Sequence, residues 1–216
     1  MTESNPLAPT PADLETLSRQ LGRPVRDVVE IGARCVCGNP LVATTAPRLS
    51  NGIPFPTTYY LTHPVITAAV SRLEAGGTMT EMTERLEQDT ALAARYRQAH
   101  EAYLRARSEI GERTGIGPVP EIDGVSAGGM PSRVKCLHVL VGHSLAAGPG
   151  VNPLGDEALA AIAEWWTADQ CRCVGAWDTS GHAPNRDLSR HVKTQGLSPA
   201  ELDAKRAERR TSEGKG

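Results

Sequence analysis

Strand-forming sequence in this chain is confined to one early block, about residues 27 to 62, and the chain beyond it reads as helix or irregular segments. That segregation disfavours the alternating strand–helix order that builds parallel sheets and predicts an α+β domain. Val28 to Cys35 and Leu41 to Thr45 are β-rich and flank Gly38-Asn39-Pro40, the composition of an antiparallel hairpin with Cys35 and Cys37 at its turn. Thr57 to Thr62 supplies a third strand. A small antiparallel sheet of about three strands is therefore expected to pack against five or six helices.

The first helix is signalled by Thr10-Pro11-Ala12-Asp13, a cap residue, a proline at the first turn and an acid near the positive dipole end. Leu14, Leu17 and Leu21 follow at helical spacing until Gly22-Arg23-Pro24 stops the element. A second helix starts after Thr62-His63-Pro64 and breaks at Gly76-Gly77. Others are expected from Thr80 to Gln88, from Thr90 to about Ile110 with a solvated His100, from Ser132 to Ala147, and from Gly155 to Trp165-Trp166. Residues 111–131, rich in Gly and Pro, read as a surface loop with few core positions. The chain has 216 residues, enough for one sizeable core, and with 4% aromatics that interior is built from Leu, Ala and Val. The expected organisation is a disordered N-terminus at 1–10, a single domain at 11–168 and a largely disordered polar tail at 169–216, with a short helix at 199–210.

A formal charge of −2 gives no electrostatic case for nucleic acid or an anionic membrane surface. No stretch approaches the roughly 18 apolar residues that suggest a membrane span, and the polar first residues do not form a secretory signal, so the expected location is the cytoplasm. There, five cysteines read as thiols or metal ligands before disulfides.

Soft ligands occur in three segments: Cys35 and Cys37, His63, and the run holding Cys136, His138 and His143. Thiolate and imidazole are the usual protein ligands for zinc, which is expected here before an iron–sulfur cluster. In a continuous helix Cys136 and His143 would lie about 20° apart but roughly 10 Å along the axis, and Cys136 and His138 would be about 200° apart, nearly opposite. The competing reading makes these residues small buried thiols and imidazoles of the core. A rival metal set pairs Cys35 and Cys37 with Cys171 and Cys173, four thiolates suited to structural zinc, although the second pair falls in the expected tail. Independently, Gly128, Gly129, Ser132, Arg133 and Lys135 combine a Gly-rich loop, a helix start and cations, the elements of an anion site that Arg48 and Asn152 could join. With His138 or His143 as general acid or base, that site would suit a hydrolase or transferase acting on a phosphorylated substrate. No recognised catalytic signature is present, which favours a binding or regulatory protein with a Cys/His metal site.

Three blocks carry a family resemblance: Phe55-Pro56-Thr57-Thr58-Tyr59-Tyr60-Leu61-Thr62-His63-Pro64, Gly128-Gly129-Met130-Pro131 running into Arg133-Val134-Lys135-Cys136-Leu137-His138, and Gly148-Pro149-Gly150-Val151-Asn152-Pro153. Over about residues 11 to 166 the chain resembles an uncharacterised actinobacterial family, domain of unknown function number 501. The resemblance implies no established activity. It implies a gene neighbourhood containing a septum-formation initiator and an exopolyphosphatase, hence a link to septum formation or polyphosphate metabolism. It also places Cys35 and His63 within family motifs and ranks Cys35, His63 and Cys136 first as ligands, with Cys37 and His143 for a fourth position.

Overall fold

The computed structural model describes residues 7–184. The sequence expectations for residues 1–6 and for 185–216, the short helix at 199–210 included, lie outside them. Within the described chain, α1 (Pro11–Leu21), β1 (Val28–Arg34), β2 (Pro40–Thr45), β3 (Tyr59–Leu61), α2 (Pro64–Ala75), α3 (Thr78–Gln88), α4 (Thr90–Arg113), α5 (Leu137–Ala147) and α6 (Pro153–Ala161) form the expected α+β arrangement.

The three strands make an antiparallel sheet in the order β1-β2-β3, with Val28 opposite Thr45, Arg34 opposite Pro40 and Val42 opposite Leu61. Central β2 is buried at every position, because both of its faces are covered. On one face, Leu17 of α1 joins Ile31, Ala43 and Tyr60 in a small apolar layer. On the other, Val42 and Leu61 enter the main core with Leu137, Leu140 and Val141 of α5 and Tyr96, Ala99 and Tyr103 of α4. Helix α5 is apolar nearly all round, as a helix enclosed by sheet and helices must be. At Gly155 α6 comes so close to α5 that a Cβ would stand 2.3 Å from the Leu140 carbonyl oxygen.

Local chemistry sets the element ends. Thr10 caps α1 through a reciprocal pair: its hydroxyl accepts from the Asp13 amide at 3.1 Å, and the Asp13 carboxylate accepts from the Thr10 amide at 2.9 Å. That carboxylate also takes a two-pronged bond from Arg34 at 2.6 and 3.0 Å, tying α1 to the end of β1. Helix α6 runs from Pro153 to Ala161 rather than from Gly155 to the tryptophans, because Asn152 caps it by accepting from the Gly155 amide at 3.0 Å. Helix α4 continues to Arg113, and His100 on it is not simply solvated: its Nδ1 meets the Ser126 hydroxyl at 2.8 Å.

Two expectations about irregular chain need correction. The segment after α4 is not poor in core positions, since Val119, Ile122, Ala127 and Met130 are all buried. Buried Arg107 organises it by donating to the Ile122 and Val125 carbonyls. The other correction concerns residues 169–184, which composition alone assigns to a disordered tail. They form an irregular strap in which Cys173 and Trp177 pack on the main core, while Arg19 donates to the carbonyls of Asp178, Ser180 and Gly181.

Candidate metal sites

The hairpin between β1 and β2 turns through residues 35–39. The Cys35 amide donates to the Asn39 carbonyl and the Gly38 amide to the Cys35 carbonyl, both at 2.8 Å. Gly38 takes φ 91°, a left-handed conformation that a side chain would disfavour. This tight turn points Cys35 and Cys37 toward the strap, and the strap brings Cys171 and Cys173 back to meet them. All four sulfurs lie within 4.8 Å of one another, with Cys37 and Cys173 at 3.4 Å. None is in a disulfide. Cys35 and Cys173 are buried, Cys37 and Cys171 exposed, so the cluster sits at the surface with one side against the core. These four cysteines could hold a metal ion.

Burial raises the Cys35 thiol, and burial together with Cys37 raises Cys173. Cys37 is also penalised by burial, but the Asn39 amide and the neighbouring thiols outweigh this and lower it to about 7. Four thiolates in so small a volume would repel strongly, and a bound divalent cation is what makes their joint ionisation favourable. His63, fully buried at the start of α2, approaches the cluster from behind: its Nε2 is 3.5 Å from the Cys173 sulfur, and its ring stands edge-on to Trp177. Its Nδ1 has no hydrogen-bond partner among the described residues. With Nε2–H donating to the sulfur, the ring would support a Cys173 thiolate without itself ligating an ion held there, as outer partners of metal ligands commonly do. Burial lowers His63 to about 4.

The run expected to be one helix behaves otherwise. Helix α5 begins only at Leu137, and Cys136 precedes it as an extended cap residue with φ −157° and ψ 111°. The 100° rotation per residue that put Cys136 and His138 on opposite faces therefore does not apply. Instead the Cys136 sulfur lies 4.0 Å from His138 Nδ1, and both meet Glu74 from the end of α2. One Glu74 oxygen accepts from His138 Nδ1 at 3.1 Å and from the Leu137 amide at 2.7 Å, so this carboxylate caps α5. The Cys136 sulfur and the Glu74 carboxylate, against the opposing effect of burial, raise His138 to about 9.

His143 points elsewhere. It stacks on Tyr59 with ring centroids 5.6 Å apart and stands edge-on to Tyr103 at 5.1 Å. The Asn152 amide nitrogen lies 3.3 Å from its Nδ1. Because Asn152 Oδ1 is already accepting from Gly155, the NH2 group is the one facing the ring, and a donor there favours neutral imidazole. Burial lowers His143 to about 4. It is a core histidine, in contact with neither cluster.

The sequence-ranked ligands thus separate. Cys35 and Cys37 join the rival four-thiol set, His63 stands behind that set, and Cys136 goes with His138 and Glu74. Glu74 escapes sequence reasoning because no local pattern distinguishes it from the other acids of the helices. The anion set does not assemble around a helix start as expected. The Lys135 amide donates to the Gly128 carbonyl at 2.7 Å, the Arg133 amide donates to that of Gly129 at 3.2 Å, and Glu74 occupies the α5 terminus. Ser132 lies in a turn before the helix rather than at its cap, and Arg133 and Lys135 are exposed. Arg48 pairs with Glu121, and Asn152 is committed to α6 and His143.

Compared with known proteins, residues 31–160 match the model of a family described as Protein of unknown function (DUF501). That span contains Cys35, Cys37, His63, Glu74, Cys136 and His138 but neither cysteine of the strap. No curated protein and no solved structure matches. No helix among the described residues is long and apolar enough to cross a membrane.

Proposed function

The chain belongs to the DUF501 family, whose description carries no activity, and from that premise we propose a cytoplasmic binding or regulatory protein that holds a zinc ion on Cys35, Cys37, Cys171 and Cys173. The observation that carries this reading is the convergence of two Cys-x-Cys pairs, more than 130 residues apart, with all four sulfurs within 4.8 Å. Tetrahedral zinc with Zn–S bonds of about 2.3 Å requires sulfurs about 3.8 Å apart, so the ion needs only small movements of exposed side chains. Four thiolates leave no coordination position for substrate, which makes this a structural site rather than a catalytic one. Its physical effect is to fasten the strap, which has little helical or strand pairing of its own, to the hairpin turn. Metal binding then becomes folding free energy for residues 171–177.

Elemental analysis of protein purified without added metal tests this reading. One zinc lost on Cys37→Ser/Cys173→Ser supports it. Metal content near zero in the wild-type protein, or content unchanged in the double variant, contradicts it.

A further inference from the structure

Glu74, Cys136 and His138 meet at a place that has no part in the four-thiol site. Their candidate ligand atoms, a carboxylate oxygen, a thiol sulfur and an imidazole nitrogen, lie within 4.8 Å of one another, and all three residues are partly exposed. The orientation of His138 is informative. Its Nε2 is 3.1 Å from the Thr67 carbonyl, which can only accept, so Nε2 carries a proton. Nδ1, which donates to Glu74 when no ion is bound, is the atom turned toward Cys136 and Glu74, so its proton is the one an ion would replace. A histidine whose far N–H is held by a backbone carbonyl while its near nitrogen faces a thiol and a carboxylate has the surroundings usual for a metal ligand. The extended backbone of Cys136 is what makes the arrangement possible, since a helical residue there would turn the sulfur away.

One side of the group is open. Cys136 and His138 form part of the wall of a cleft of about 510 Å³, lined also by Gln20, Tyr60, Thr62 and Thr67. The Gln20 side-chain oxygen, within this lining, is buried without a hydrogen-bond partner among the described residues. Three protein ligands beside an accessible cavity is the pattern of zinc sites that keep an exchangeable fourth position, in contrast to closed four-thiolate sites.

We propose that Glu74, Cys136 and His138 bind a second divalent ion of the zinc class, whose fourth position opens into this cleft and accepts an oxygen or nitrogen donor from a small ligand. Binding displaces the protons from the Cys136 sulfur and from His138 Nδ1, and the sulfur, nitrogen and one carboxylate oxygen become the three fixed ligands. Glu74 keeps its bond to the Leu137 amide, so loading the site leaves the α5 cap in place.

Cobalt(II) titration of the full chain under anaerobic conditions, read by visible and near-ultraviolet absorption with azide as probe ligand, tests the proposal. Wild type is expected to take two equivalents. Cys37→Ser/Cys173→Ser should keep one, whose visible bands shift on adding azide. His138→Ala and Glu74→Gln should each lose that azide-sensitive equivalent and keep the thiolate-rich one, with circular dichroism unchanged. Glu74→Gln preserves an acceptor for the Leu137 amide, so loss of metal there is not loss of the cap. If His138→Ala and Glu74→Gln bind as much cobalt as wild type, or if no bound cobalt responds to azide, the open site does not exist, whatever becomes of the four-thiol site. If the Cys37/Cys173 variant binds as much cobalt as wild type, the structural-site reading fails while the open site stands.

Discussion

Neutral His143, enclosed by Tyr59, Tyr103 and Asn152, makes folding stability pH-dependent in a window that can be worked out. Its ordinary value is 6.5 and burial lowers it to about 4 in the folded protein. Below pH 6.5 the unfolded chain takes up a proton that the folded chain refuses, so stability is fully present above about 6.5 and is lost as pH falls toward 4. A separation of one pH unit between the folded and unfolded values corresponds to about 1.36 kcal/mol, giving a loss of roughly 3 kcal/mol once pH is below 4 and about 2 kcal/mol between pH 7 and 5. The assay is urea denaturation at pH 7, 6 and 5 for the wild type and for His143→Gln, both loaded with excess zinc. The variant is less stable throughout, since it disturbs a packed site, but its stability should fall by about 2 kcal/mol less than wild type's between pH 7 and 5. Other groups titrate similarly in both proteins, so the difference in slope isolates His143. Parallel curves would refute the reasoning, by showing that the ring is protonated in the fold or that it is solvated.

Asp13, lowered to about 2 chiefly by its bond to Arg34, acts in a different window. Its contribution is present above its ordinary value and is lost as pH falls through 2; Asp13→Asn should cost on the order of 1–2 kcal/mol at pH 7, allowing for the partly exposed Arg34, and should flatten the acid limb below pH 4 in denaturation curves. Tyr103→Phe removes the acceptor of the buried Thr58 amide, now 2.6 Å from the phenol oxygen, and should destabilise by about 1–3 kcal/mol in thermal or urea unfolding. Gly155→Ala places a methyl against the Leu140 carbonyl oxygen and should cost about 1–3 kcal/mol or more; stability equal to wild type would show that α5 and α6 are farther apart than described.

Legibility in the sequence tracks how local the determining interactions are. Hairpin, caps and helix order are readable because β-branched runs, Thr10-Pro11-Ala12-Asp13 and Gly76-Gly77 act on their own neighbourhoods. The strap is not readable: residues 171–181 have no hydrophobic period, and their order comes from Cys173 and Trp177 on the core and from the bonds of Asp178, Ser180 and Gly181 to Arg19, more than 150 residues away. Helical periodicity misplaces Cys136 relative to His138 because it presumes that the helix begins at Ser132. Glu74 provides an N-terminal acceptor from another helix, so the element starts five residues later. His143 looks like a ligand for the same reason that it looks like a core residue: sequence shows the imidazole but not the two tyrosines and the asparagine around it.

The central claim is that four sulfurs from the hairpin turn and the strap bind one zinc ion. Zinc-edge X-ray absorption on Cys136→Ser/His138→Ala protein tests it most directly, because that variant removes the second candidate site and leaves one ion to observe. Four sulfurs at about 2.3 Å, with no nitrogen or oxygen scatterer in the inner shell, is the predicted result. A shell with nitrogen or oxygen in place of sulfur, or a variant that carries no zinc although it is folded, would contradict it.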